Sequence, residues 1–171
     1  MKKKILLFLA LALMFVFSGC AAFRGEGRIR ASNLLITGNY FNSRLLCELA
    51  QYKTKQPILL FSLDADGVYQ LFYLPASGKV TEVALEDYTD MVSFINPKRI
   101  IVVGDNTYAP QKYVDIARNC NYPIQEVTSN SWENNAKAMG ELLNQRGLLR
   151  DFLDTKAKLA SAGFDAAKTE K

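Results

Sequence analysis

Apolar and polar positions recur along this chain with two different periods, and the switches between them mark out the elements. Asn33 to Thr37 is short and apolar and ends at Gly38, which predicts a strand. From Phe41 to Lys53 the spacing becomes helical: Phe41, Leu45, Leu49 and Tyr52 fall on one side, Leu46 and Ala50 flank them, and Arg44, Glu48 and Gln51 lie opposite. On that wheel Cys47 falls on the polar side. Pro57 then precedes Ile58 to Phe61, a continuous apolar run of the kind found in strands covered on both faces. Asp64-Ala65-Asp66-Gly67 is a turn signal. Beyond it, Val68 to Leu74 and Lys79 to Leu85 read as extended segments joined by Pro75-Ala76-Ser77-Gly78, a hairpin at the sheet edge or a small projection.

Glu86 and Asp87 open the next predicted helix, where carboxylates meet unpaired N–H groups. Tyr88, Met91, Val92 and Ile95 make its apolar face, and Asn96-Pro97 stops it. Arg99 to Val103 is a second buried-strand signal, ending in Gly104. A helix from Pro110 to Cys120 shares Tyr113, Ile116, Ala117 and Cys120 on its apolar face, which predicts Cys120 in the core. Ile124 to Val127 is a last short strand. The helix after it carries Trp132, Ala136, Met139 and Leu143 on one face, so Trp132 reads as a core residue. Gly147 ends or bends this helix, and Leu148 to Leu159 forms another.

Strands alternating with helices in this way predict an α/β fold: a three-layer, mostly parallel sheet, Rossmann-like or flavodoxin-like, with a β-hairpin insertion. Right-handed crossovers place the loops after Thr37, Phe61, Val103 and Val127 at one edge of that sheet. The expected organisation is a signal peptide over 1–19, a tether over 20–32, the α/β domain over 33–147, a C-terminal helix over 148–160 and a disordered tail over 161–171.

The amino-terminal segment has its own logic. Lys2, Lys3 and Lys4 precede thirteen apolar residues, Ile5 to Phe17, and then Ser18-Gly19-Cys20. A basic start, a short apolar core and a small-residue exit describe an export signal. Small residues ending at a cysteine resemble a bacterial lipoprotein signal, which implies lipidation (palmitate included) of Cys20 after removal of 1–19. Phe17 stands where such signals usually carry a smaller aliphatic residue. An uncleaved anchor is the alternative, since nineteen uncharged residues, Ile5 to Phe23, span about 30 Å at 1.5 Å each; plain secretion is the third. By resemblance to enterobacterial lipoprotein sorting, Ala21 rather than Asp after the cysteine implies the outer membrane, facing the periplasm, in a cell that has one. In any other cell it implies the outer face of the plasma membrane.

Cleavage changes the composition. Losing Lys2, Lys3 and Lys4 takes 21 basic residues to 18 against 17 acidic, and the net charge from +4 to +1. No concentrated cationic surface is left to argue for a nucleic-acid partner. Of three cysteines, Cys47 and Cys120 remain, a pair that an oxidising compartment could join. Their helical phases, one outward and one inward, argue against it. The chain has no histidine, which removes Ser-His-Asp and Cys-His mechanisms and the commonest ligand of catalytic zinc.

Three loops at the predicted carboxyl edge share a chemistry of amides, hydroxyls and rings. They are Gly38-Asn39-Tyr40-Phe41-Asn42-Ser43-Arg44, Gly104-Asp105-Asn106-Thr107-Tyr108 and Ser129-Asn130-Ser131-Trp132-Glu133-Asn134-Asn135. Ligands of open α/β sheets collect there. The expected binding residues are Asn39, Tyr40, Asn42, Arg44, Asn106, Tyr108 and Asn130, with rings to stack on a flat ligand face and Arg44 to clamp an anion. Helix N-capping accounts equally well for Asn42, Thr107 and Ser131. Gly38 and Gly104 are lone glycines, not a phosphate-binding series, so no cofactor is expected. Nor is a metal. Asp64 and Asp105 follow predicted parallel strands, and are the candidates for catalytic carboxylates; Asp64 belongs equally to its turn.

Pro57-Ile58-Leu59-Leu60, Arg99 to Gly104 and Trp132-Glu133-Asn134-Asn135-Ala136 occur in an order similar to one unit of the bacterial cell wall-binding repeat 2 family. That resemblance implies contact with wall polymer and a functional or subunit-contact edge near Trp132, Glu133 and Asn134. Asn134 stands where that family has Thr, and one unit replaces a tandem. The expected function is a lipid-anchored, non-catalytic binding or accessory protein of the envelope, touching wall polymer, glycan or a partner protein. A carboxylate-dependent envelope hydrolase and a structural subunit of an envelope complex are the alternatives.

Overall fold

The computed structural model describes residues 29–164; the expected signal peptide, Cys20, and the parts of the tether and tail at 20–28 and 165–171 lie outside the described residues. Within them the elements run β1 (Leu34–Gly38), α1 (Phe41–Thr54), β2 (Ile58–Leu63), β3 (Tyr69–Leu74), β4 (Thr81–Val83), α2 (Tyr88–Ile95), β5 (Ile100–Val103), α3 (Gln111–Asn119), β6 (Ile124–Val127), α4 (Trp132–Leu142) and α5 (Leu148–Ser161). A single 3-10 turn, Leu85–Asp87, leads into α2.

All six strands form one sheet in the order β4-β3-β2-β1-β5-β6. β2, β1, β5 and β6 are parallel, because each connection between them includes a helix long enough to cross the sheet. β3 and β4 run antiparallel as an extension on the β2 side. The β2–β3 turn is closed by Asp64, whose Oδ1 accepts from the amides of Asp66 at 2.9 Å and Val68 at 2.8 Å. This is the three-layer, mostly parallel α/β sheet with a hairpin that the sequence predicts.

Alternation along the central strands builds the two cores. Leu34 and Ile36 of β1 face α2 and α3, with Phe61, Tyr88, Val92 and Tyr113. Leu35 faces the other way, toward α1, α4 and α5, with Leu46, Ile58, Ile101, Met139 and Phe152. Every residue of β1 is buried, as expected of a strand with neighbours on both sides and helices on both faces.

The structure rotates α1 relative to the stripe read from sequence. Its buried residues are Asn42, Ser43, Leu46, Cys47 and Ala50, while Tyr52 is 76 % exposed. Small side chains let the helix lie close to the sheet, and Leu45 and Leu49 turn sideways to pack within the same apolar layer. Cys47 is therefore buried, not outward. Cys120, expected in the core, is only half-buried at the end of α3. Both cysteines are free and they belong to opposite faces of the sheet, so the expected absence of a disulfide holds for a different reason.

Three segments read as peripheral are tied to the fold. α5 places Leu148 and Phe152 in the core, each worth roughly 1.5–3 kcal/mol of apolar burial. It packs on α1 and α4, and Lys53 Nζ meets Asp151 Oδ2 at 2.5 Å between α1 and α5. At the other end, the amides of Ile29 and Ala31 donate to the carbonyls of Phe94 and Ile95, at 3.1 and 3.3 Å. Phe164, in the segment read as tail, lies against Phe41 with ring centroids 4.8 Å apart. No helix among the described residues is long and apolar enough to cross a membrane.

Candidate functional site

β1 sends its crossover to β2 on one side, while β5 lies on its other side. The carboxyl ends of β1 and β5 therefore border the point where the strand order reverses, and open α/β sheets form a crevice there. The Thr37 hydroxyl donates to the Val103 carbonyl at 2.7 Å and pins these two ends together.

Two glycines let the loops approach. A side-chain carbon on Gly38 would stand 2.5 Å from the Tyr108 carbonyl oxygen and 2.8 Å from the Tyr40 ring. One on Gly104 would meet Tyr108 Cβ at 2.6 Å and its ring at 2.7 Å, and the backbone there is left-handed with φ +93°. Tyr108 thus occupies the space that two absent side chains leave.

Around Tyr108 the three loops join through aromatic edges. Tyr40 and Tyr108 meet edge to face, with centroids 5.1 Å apart at 76°. Tyr108 and Trp132 repeat the arrangement at 5.0 Å and 81°. Such pairs contribute about 0.5–1.5 kcal/mol beyond their area burial. All three rings are half-buried, so each keeps an accessible surface at the rim.

Polar groups flank the rings. Arg44 Nη1 donates to Asn39 Oδ1 at 3.0 Å, Arg44 Nε to Glu48 at 2.6 Å, and Asn39 Nδ2 to the Ser62 hydroxyl at 3.2 Å. The guanidinium is exposed yet partly neutralised by Glu48. Asn106 and Asn130 are exposed in the neighbouring loops. Asn42 is 6 % exposed inside α1, which takes it out of the set that a ligand in the crevice would touch.

Of the three expected caps, only Ser131 is one: its hydroxyl accepts from the Asn134 amide at 3.3 Å. It also donates to Glu133 Oε2 at 2.8 Å. The Glu133 carboxyl is held below its ordinary pKa first by its own backbone amide and then by this hydroxyl. Buried Asn135 fixes the loop from behind, accepting from the Ser129 amide at 2.7 Å and donating to the Ser129 carbonyl at 2.9 Å. α1 starts after Tyr40 and α3 after Pro110, neither with a side-chain cap.

The two candidate carboxylates have local duties. Asp105 Oδ1 accepts from the Thr107 amide at 2.9 Å, as Asp64 does in its own turn. β1 separates their parent strands, a lateral gap of about 10 Å at the strand spacing of a sheet. No group of three or more His, Cys, Asp or Glu residues is gathered as a metal site among the described residues.

Fold and site together define a three-layer α/β protein with three aromatic rings packed edge to face at its switch point. No protein-family model, curated protein or solved structure matches the chain. The likeness of three segments to the cell wall-binding repeat therefore stands on those residues alone.

Trp132, read as a core residue, is half-buried and packs on the margin of the α1–α4–α5 core, and what sequence reasoning missed is its contact with Tyr108. Its neighbours Ala136 and Met139 are in the core, but as the first residue of α4 it sits at the loop end and turns its ring to Tyr108. Its position directly after a serine cap was the available signal.

Proposed function

We propose that this chain is a lipid-anchored binding or accessory protein of the bacterial envelope, holding wall polymer, glycan or a partner protein at its carboxyl-edge crevice. The observation that supports the reading is the edge-to-face series Tyr40–Tyr108–Trp132 across three loops. Half-buried rings beside exposed Asn39, Asn106, Asn130 and Arg44 suit a flat, hydroxyl- and amide-bearing surface, where apolar faces stack and amides bond at the margin. The attachment rests on Ser18-Gly19-Cys20. An anchor of that kind supports a location on the outer membrane facing the periplasm, or on the outer face of the plasma membrane where there is no second membrane.

Two measurements test this. Mass spectrometry of the mature protein should find 1–19 removed and an acylated Cys20 at the amino terminus; an unmodified Cys20 would overturn lipidation. Purified protein should co-sediment with insoluble cell-wall polymer at micromolar concentration, and Trp132→Ala should weaken retention roughly tenfold, about 1.4 kcal/mol. Retention that ignores Trp132 would remove the crevice from the reading. No retention at all would leave the wall polymer out of it.

A further inference from the structure

The sheet has a second feature of interest at its opposite margin. β4 is the outermost strand, and its far side pairs with no strand among the described residues. Beside it, a shallow groove of about 380 Å³ runs between β4 and α2, lined by Thr81, Glu82 and Val83 and by Asp87, Met91 and Phe94. Its floor is apolar. Phe94 is 40 % exposed, and Ile29, hydrogen-bonded to the Phe94 carbonyl, is 43 % exposed.

Its rim is acidic. Glu82, Glu86, Asp87 and Asp90 are all exposed, and none forms an ion pair with a cation among the described residues. The opposite edge strand, β6, is different: its Glu126 is paired with Arg118 at 2.9 Å. Charges on an edge strand commonly discourage self-pairing. That accounts for carboxylates at β4 but not for an exposed phenylalanine at the centre of them.

We propose that the β4 edge and α2 together receive an extended, lysine- or arginine-bearing segment of a partner protein. The segment adds to the sheet as a seventh strand and sets an apolar side chain on Val83, Met91 and Phe94. Main-chain bonds to an open edge supply affinity in this mode, and alternate side chains supply selectivity. On the α2 face, cations at either side of that apolar residue meet Asp87 and Asp90, and one on the opposite face meets Glu82; none of these carboxylates pairs with a cation among the described residues. The site is separate from the carboxyl-edge crevice and stands or falls without it.

The test uses the full chain in mild detergent and a labelled seven-residue probe, Lys-Thr-Phe-Arg-Val-Thr-Lys, whose alternation puts Lys, Phe, Val and Lys on the α2 face and Arg on the other. Fluorescence anisotropy should show saturable binding, and hydrogen exchange should show new protection confined to residues 80–84 and the adjoining face of α2. A probe with Glu at the basic positions, and one N-methylated at alternate amides, should each bind at least tenfold more weakly. Asp87→Asn with Asp90→Asn, and separately Phe94→Ser, should do the same while the far-ultraviolet circular dichroism and a cooperative melt show that each variant is folded. Equal binding of the methylated or acidic probe, or protection elsewhere, would overturn the proposal. So would protection of 80–84 in the unliganded protein together with a doubled mass, which would make the occupant a second copy.

Discussion

At the scale of single residues, the crevice depends on what Gly38 lacks. Gly38→Ala would drive a methyl group into the Tyr108 carbonyl, 2.5 Å away, and a backbone atom cannot swing aside as a side-chain tip can. The expected cost is that of overpacking, about 1–3 kcal/mol, measured as a fall in the chemical denaturation midpoint. The Tyr40–Tyr108 contact should loosen with it, so ring fluorescence should change in the folded baseline; an unchanged midpoint would show that the loop relaxes freely. None of this is legible locally in the sequence. Gly38 and Tyr108 are distant along the chain, and only the adjacency of β1 and β5 brings them together. The Trp132–Tyr108 contact was missed for the same reason: the helical stripe correctly sets Trp132 against the core, but it does not report what waits beyond the end of the helix.

At the scale of elements, the hydrophobic pattern carried most of the information. The buried runs Ile58 to Phe61 and Ile100 to Val103 are strands because their continuous apolar character needs cover on both faces. The failure is α1. A wheel assumes one buried arc facing one neighbour, but α1 touches the sheet, α4 and α5. Its closest approach uses Ser43, whose hydroxyl donates to the Gly38 carbonyl at 2.8 Å, and Ala50. Size, not apolarity, selected that face. The α1–α5 contact also has a titratable clasp. Asp151 is held below its ordinary pKa first by its hydrogen bond from Lys53, and then by the Lys53 and Arg150 charges. A carboxyl depressed in the folded state adds stability above its unfolded pKa, near 3.8, and that contribution disappears as pH falls through the lower folded value. Asp151→Asn should therefore lower the midpoint at pH 7, and the difference should shrink as pH falls below 3.8 and through the lower folded value. A deficit that persists undiminished in acid would assign the effect to packing.

At the scale of the whole molecule, the sheet is a partition between two chemically distinct sides. Cys47 lies in the layer of α1, α4 and α5, where burial pushes its thiol far above the ordinary value, while Cys120 is half-buried at the end of α3. Only the thiolate reacts. Maleimide should therefore label Cys120 in the native protein and Cys47 only after unfolding, read by mass of the tryptic peptides; native labelling of Cys47 would mean that the α1 layer opens readily. The direction of β1 gives the molecule a polarity of another kind. The chain enters at Ile29 beside the end of α2, at the edge where the parallel strands begin, and the rings stand where they finish. Five strand residues at about 3.4 Å each put some 17 Å of sheet between entry and rings. Held from upstream of Ile29, the domain would act as a short mast with its contact surface at the top. On the proposed lipid attachment, what it meets would then depend on how far that top stands from the bilayer, and lengthening the sequence before Ile29 would change that reach without touching a binding residue.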